Sequence, residues 1–172
     1  RDKVEKEMSL VSTAYEIFKS FQFNQEEDML EFKQAKHDLK QRLTALNELL
    51  NRRMHATTGL PYDKWLSSHQ PFHWLAEFYQ IIKGNGGFDV IIGNPPYVTF
   101  TDASLKYNVR QYSTYNTKNL FALCGERFTS LVCNNASIGY IIPLSGMSID
   151  GFESLQNVIY SNCHSWNSYY SG

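Results

Sequence analysis

Phe88-Asp89-Val90-Ile91-Ile92-Gly93-Asn94-Pro95-Pro96-Tyr97 is the stretch whose reading decides the fold. Its first half is apolar and β-branched without alternation, the pattern of a strand covered on both faces. Turn residues bound it: Gly84-Asn85-Gly86-Gly87 before, Gly93-Asn94-Pro95-Pro96 after. Downstream, Leu120, Leu123, Cys124, Phe128 and Leu131 share a helical face within Asn119 to Val132, and Ile138 to Ile142 is a second buried-type strand stopped by Pro143. Strand, helical crossover, strand predicts a βαβ unit with parallel strands at about 88–92 and 138–142, and so an α/β fold. Phe152 to Tyr160 predicts a further short helix, and the tail from Ser161 to Gly172 reads as a last strand or a disordered end.

Upstream the composition changes. Residues 1–55 hold 20 of the 33 Asp, Glu, Lys and Arg but only 5 of the 25 aromatic residues. Val4, Met8, Val11, Tyr15 and Phe18 recur at helical spacing and make one apolar stripe. Asn24 followed by Glu27 has the form of a capping box, so a second helix is expected to start there. Met29, Phe32, Leu39, Leu43, Leu46 and Leu50 carry its stripe to about Met54, where Gly59 and Pro61 end it. The two predict an antiparallel hairpin of long helices, with a seam of about 45 Å for some 30 residues. Residues 57–87 read as a connector holding one short helix, Phe72 to Ile82. The expected organisation is a helical hairpin insertion at 1–56, the connector at 57–87 and an α/β part at 88–172.

A formal net charge of −1 excludes a freestanding, strongly basic nucleic-acid binder, so a nucleic-acid partner has to be argued from a site. Cys124, Cys133 and Cys163 are too few and too irregularly spaced for a disulfide framework or a four-ligand zinc site. No apolar run reaches the length of a membrane span and no secretory signal opens the chain. These features predict a cytoplasmic protein with reduced thiols and no membrane partner. The chain opens at Arg1 inside a helical pattern, which predicts a fragment of something longer.

The chemistry is expected just after the first strand, because the ligand crevice of an open α/β sheet lies beyond the carboxyl ends of its strands. Pro95 and Pro96 fix φ near −65° and remove two donors, and Asn94 before them is held extended. The resulting stiff loop presents acceptors: the Asn94 side-chain oxygen and the Pro95 carbonyl, with Tyr97 as a flat platform beside them. An exocyclic amine on a nucleobase requires this arrangement. Its nitrogen lone pair is delocalised into the ring until two acceptors take its hydrogens and favour a pyramidal nitrogen, which stabilises the transition state over the ground state. A base inside a duplex is out of reach, so it must be rotated out, and stacking on an aromatic ring supplies roughly 1–3 kcal/mol towards holding it there.

Asn94-Pro95-Pro96-Tyr97 after a Phe-Asp-hydrophobic strand resembles the catalytic motif of the amino-group DNA methyltransferases that act on adenine N6 with S-adenosylmethionine. The likeness takes in Pro71-Phe72-His73-Trp74, Glu77-Phe78 and Gly86 to Val98, and is similar to the stretch found in methylase-restriction fusion enzymes and phage-defence methylases. Asn119-Leu120-Phe121 with Glu126-Arg127 resembles the following helix, and Gly139 to Pro143 the next strand. The resemblance implies a partial Rossmann-like methyltransferase sheet. It also implies that Asn94 and the Pro95 carbonyl accept from adenine N6, that Pro96 locks the turn, and that Tyr97 stacks on the flipped base. Asp89 and Gly93 would shape the strand end next to the cofactor. Residues 1–87 lack that family's glycine-rich cofactor loop and the acidic residue that follows its second strand, and the run Gly84 to Gly87 enters a strand instead of opening a helix. The expectation is the catalytic middle of a restriction-modification methyltransferase, inactive in isolation, with DNA as the partner of the whole protein.

The remaining candidates have plainer readings. His69 and His73 have the spacing of a zinc pair, but Pro71 lies between them and no third ligand is evident, so no metal is expected. Lys33, Lys36, Lys40, Arg42, Arg52 and Arg53 stand among acidic neighbours and read as a solvated face. Tyr107, Tyr112 and Tyr115 with Lys106, Arg110 and Lys118 fit a DNA-lining segment and a plain surface loop equally well. Self-association through the leucine stripe or through an unpaired edge of strand 88–92 is a further expectation. Two other functions stay open: a non-catalytic helical interaction module, and methylation of an RNA or protein amine by the same acceptors.

Overall fold

The computed structural model describes residues 2–23 and 29–162, and these form two compact units, residues 1–83 and 84–172. The expected capping box at Asn24 and Glu27 lies outside the described residues, as do Cys163 and nearly all of the tail.

In the first unit, helix α1 (Asp2–Phe23) packs against α2 (Met29–His55) through the stripes expected of them. Val11 and Leu46 are fully buried, and Val4, Met8, Leu39, Leu43 and Leu50 pack around them. Phe18 meets Phe32 with ring centroids 5.3 Å apart at the other end of the pair, which makes the hairpin antiparallel. The stripe departs from expectation at Met29, which is exposed. The lysines and arginines of α2 named above are exposed, as a solvated face requires.

The connector is more structured than its sequence pattern implies. Helix α3 (Tyr62–His69) begins after Pro61, whose fixed φ suits a helix start, and seats Trp65 against Tyr62, His69 and His55. The expected helix from Phe72 to Ile82 is replaced by α4 (Trp74–Glu77) and a π-helical turn at Gln80–Gly84. Phe78 leaves the helical region at φ −121° and ψ 38°, so regular winding stops there. Ala76 and Tyr79 join the Val11–Leu46 core, and the Tyr79 hydroxyl donates to the Met8 carbonyl at 3.2 Å.

The second unit is the βαβ unit. Strand β1 (Phe88–Gly93) pairs in parallel with β2 (Val132–Tyr140), and α5 (Leu120–Thr129) lies between them in sequence. The regular ladder joins Val90–Gly93 to Ser137–Tyr140 and is extended by the Ile141 amide donating to the Gly93 carbonyl. β2 begins six residues earlier than expected, because Phe88 also pairs with Val132 while the residues between Val132 and Ser137 loop out. Asn135 enters the left-handed region at φ 64° to allow it, a conformation that Asn tolerates. Pro143 follows, and short α6 (Ser145–Ser148) and α7 (Glu153–Asn162) close the unit. Phe121, Ala122 and Leu155 form its buried core, with Phe121 stacked on Phe152 at 5.3 Å.

The reading of β1 as a strand covered on both faces is corrected by the structure. Its one hydrogen-bonded neighbour among the described residues is β2, and Val90 and Ile92 are 56% and 83% exposed. The unbroken apolar run marks surface that this unit leaves bare. No described helix is long and apolar enough to cross a membrane.

Candidate active site

The loop Asn94-Pro95-Pro96-Tyr97 leaves the carboxyl end of β1, beside the point where β2 runs into Ile141. Pro95 is buried and anchors the turn, whereas Asn94 and Pro96 are exposed and Tyr97 is half-exposed. The Tyr97 ring meets the core through an edge contact with Phe121 at 6.4 Å. Its hydroxyl lies 2.7 Å from Asn94 Oδ1 and 3.1 Å from the Ile141 carbonyl. One phenolic proton therefore has two acceptors, one on the side chain expected to do the chemistry and one on the neighbouring strand.

The two cofactor candidates stand near opposite ends of β1. Asp89 stands near the start of β1, where its carboxylate is 3.5 Å from the Cys133 thiol, and Gly93 stands at the end against the Phe128 ring. Four residue steps of strand, about 13 Å, separate them.

After Tyr97 the chain closes a loop on itself. The Leu120 amide donates to the Val98 carbonyl, the Phe100 amide donates to the Lys118 carbonyl, and Thr99 bridges Asn119 in antiparallel sense. Residues 101–117 thus form an Ω-type loop whose neck adjoins the proline turn. Two carboxylates organise it. Glu126, projecting from α5, accepts from the backbone and hydroxyl of both Ser113 and Thr114 at 2.8–3.0 Å. Burial by itself raises the Glu126 pKa, but these four bonds outweigh it and hold the carboxyl below its ordinary range. Asp102 accepts from the Tyr115 hydroxyl at 2.5 Å, from Arg110 at 2.6 Å and from Lys118 at 3.1 Å, and these contacts hold it far below the usual carboxylate range. The Lys118 ammonium also lies 3.5 Å from the Tyr115 ring centroid.

Of the basic and aromatic residues that the sequence groups after the proline turn, Arg110, Lys118 and Tyr115 come together on Asp102. Lys106 and Tyr107 line the same cavity as Arg110 and Tyr115, and Tyr112 stands outside that lining. The organising roles of Asp102 and Glu126 have no sequence signal, since their partners lie 8 to 16 residues away. The histidine pair is spent on other contacts: His73 Nε2 is 2.7 Å from Oδ1 of buried Asn51, and His69 stacks on Trp65. No cluster of three or more metal-ligating side chains occurs among the described residues.

Over residues 5–170 the sequence matches the Eco57I restriction-modification methylase family. The chain belongs to that family. The match runs through the helical hairpin as well as the βαβ unit of this Eco57I-family chain. It is also 38% identical over 76 residues to a Methanocaldococcus jannaschii protein named as a putative type II restriction enzyme and methyltransferase, RM.MjaORFECS2P. That similarity covers 44% of this chain and 6% of the length of that protein. No solved structure matches the chain.

Proposed function

We propose that this Eco57I-family chain carries the target-amine site of a DNA adenine-N6 methyltransferase of a restriction-modification system. The observation that carries the reading is the exposed Asn94 carboxamide, set at the carboxyl end of β1 by a buried proline and oriented by the Tyr97 hydroxyl. A carboxamide turned by that donor offers its oxygen. When a flipped adenine arrives, the phenolic proton swings to the Ile141 carbonyl, and Asn94 Oδ1 accepts from N6 in its place. The Pro95 carbonyl takes the second N6 hydrogen, so the nitrogen lone pair leaves the ring and becomes available to an electrophile. The base lies against the exposed face of Tyr97, and Pro96 keeps the turn from relaxing.

S-adenosylmethionine is the methyl donor that family membership supplies to this reading. Asp89 and Gly93, on one face of β1 near its two ends, are the residues that would flank that donor.

The test is methyl transfer from labelled donor to duplex DNA by the full-length gene product, with Asn94→Ala beside it. Removing one preorganised group of this kind costs about 10²–10³ in kcat. Transfer that survives in Asn94→Ala defeats the reading, and transfer to RNA or protein in preference to DNA redirects it.

A further inference from the structure

We propose that the Ω-type loop from Thr101 to Lys118 holds the phosphodiester backbone of DNA close to the base presented at Asn94. The inference rests on the function proposed above and names the part of the partner that this loop takes.

A cavity of about 330 Å³ opens in the loop, lined by Asp102, Lys106, Tyr107, Asn108, Arg110 and Tyr115 among others. Lys106, Arg110 and Lys118 stand with Asp102 between residues 101 and 118 and Glu126 reaches into the loop from α5, which leaves a local surplus of one positive charge in a chain whose formal net charge is −1. The Asp102 carboxylate holds Arg110 and Lys118 without burying them. Arg110 is tied to Asp102 through one terminal nitrogen while its side chain stays 69% exposed, so a planar cation is held at the surface of the loop. Holding Arg110 and Tyr115 in place beforehand removes ordering entropy that binding would otherwise have to overcome.

Position is the second support. The loop begins four residues beyond Tyr97, and five residues of chain reach at most about 18 Å from Tyr97 to Asp102. Phosphates on one DNA strand advance about 3.4 Å each along the axis, so the cavity lies within about five nucleotides of a base stacked on Tyr97. Charge, an exposed guanidinium and this proximity together fit a polyanionic backbone better than an acidic peptide, which would have no reason to sit beside a base site.

The experiment is the salt dependence of binding to a labelled 20-base-pair duplex, measured for the full-length protein and for Arg110→Gln, Arg110→Lys, Lys106→Gln and the Arg110→Gln/Lys106→Gln double variant. Each phosphate deprived of its cation should flatten the log–log salt slope by about 0.9, which makes the drop in affinity between about 50 and 200 mM salt roughly 3.5-fold smaller. Arg110→Lys, which keeps the charge, should retain the wild-type slope, and the double variant should flatten it by about 1.8. Lys106→Gln provides a second reading should Arg110→Gln disturb the loop. Wild-type slopes in all the variants would overturn the proposal, as would displacement of the DNA by polyglutamate or by duplex RNA at lower concentration. Flattened slopes without any DNA methylation would sink the methyltransferase reading and leave the loop assignment standing. Methylation that depends on Asn94, with unchanged slopes, would do the reverse.

Discussion

Removing the Glu126 carboxylate tests whether α5 sets the loop that flanks the active site. Its Oε2 accepts from the Ser113 hydroxyl and from the amide and hydroxyl of Thr114, and its Oε1 accepts from the Ser113 amide. Thr114 is fully buried, so Glu126→Ala strands two donors out of reach of water, at about 1–3 kcal/mol each, whereas exposed Ser113 can turn to solvent. The expected local cost is about 2–6 kcal/mol. In Glu126→Gln the amide oxygen can occupy the Oε2 position and keep three bonds, leaving its NH2 facing the Ser113 amide, for about 1 kcal/mol. Hydrogen exchange is the suitable assay because it reads local opening, and the Thr114 amide should lose at least about 30-fold and up to about 20,000-fold protection in Glu126→Ala and about fivefold in Glu126→Gln. The pH dependence gives an independent check. Since the folded pKa is depressed, the stabilisation is complete above the unfolded value of about 4.3 and is lost as pH falls through the folded value. Glu126→Ala should erase that acid limb. Equal protection in the two variants and the parent would refute the idea that this carboxylate shapes the loop.

Other substitutions probe other parts of the molecule. Gly87 has φ +139°, and a Cβ there would lie 2.4–2.6 Å from the backbone of Leu131 to Cys133, so Gly87→Ala should cost about 3 kcal/mol or more and lower the melting temperature by several degrees. Tyr97→Phe keeps the stacking ring but frees the carboxamide, so in a methylation assay it should lose far less activity than Asn94→Ala; equal losses would show that the hydroxyl itself does chemistry. Burial lowers the pKa of His73, so its contribution is intact above the unfolded value of about 6.5 and fades on acidification through the folded value. A His73→Gln variant should flatten that part of the unfolding profile, measured from about pH 5 to about pH 7.

Local signals carry most of what the chain discloses in advance. The stripes of α1 and α2 are readable because each apolar residue is related to the next by helix geometry alone, and Val11 and Leu46 are buried where those stripes meet. β1 and its proline turn are readable for the same reason: a β-branched run and two imino acids act on their own backbone. What escapes depends on partners distant in sequence. Helix α3 does have a local signature, Pro61 followed by Tyr62, Trp65 and His69 at helical spacing, but its stripe is aromatic and resembles irregular connector. The early start of β2 rests on a left-handed Asn135, one of two adjacent asparagines that look like turn residues. No spacing rule shows that Asp102 gathers Tyr115, Arg110 and Lys118. Nor does one show that Tyr97 bonds back to Asn94, since that geometry exists only once the turn has closed against Ile141.

The paired prolines after Asn94 have a consequence for selectivity. Between the Asn94 and Tyr97 amides the backbone has no hydrogen to give, so a keto oxygen brought to the place of N6 would set lone pair against lone pair. Hypoxanthine, the deamination product of adenine, carries that oxygen. That repulsion would then rest on Asn94, whose carboxamide keeps its oxygen rather than its NH2 forward only while the Tyr97 hydroxyl bonds to it.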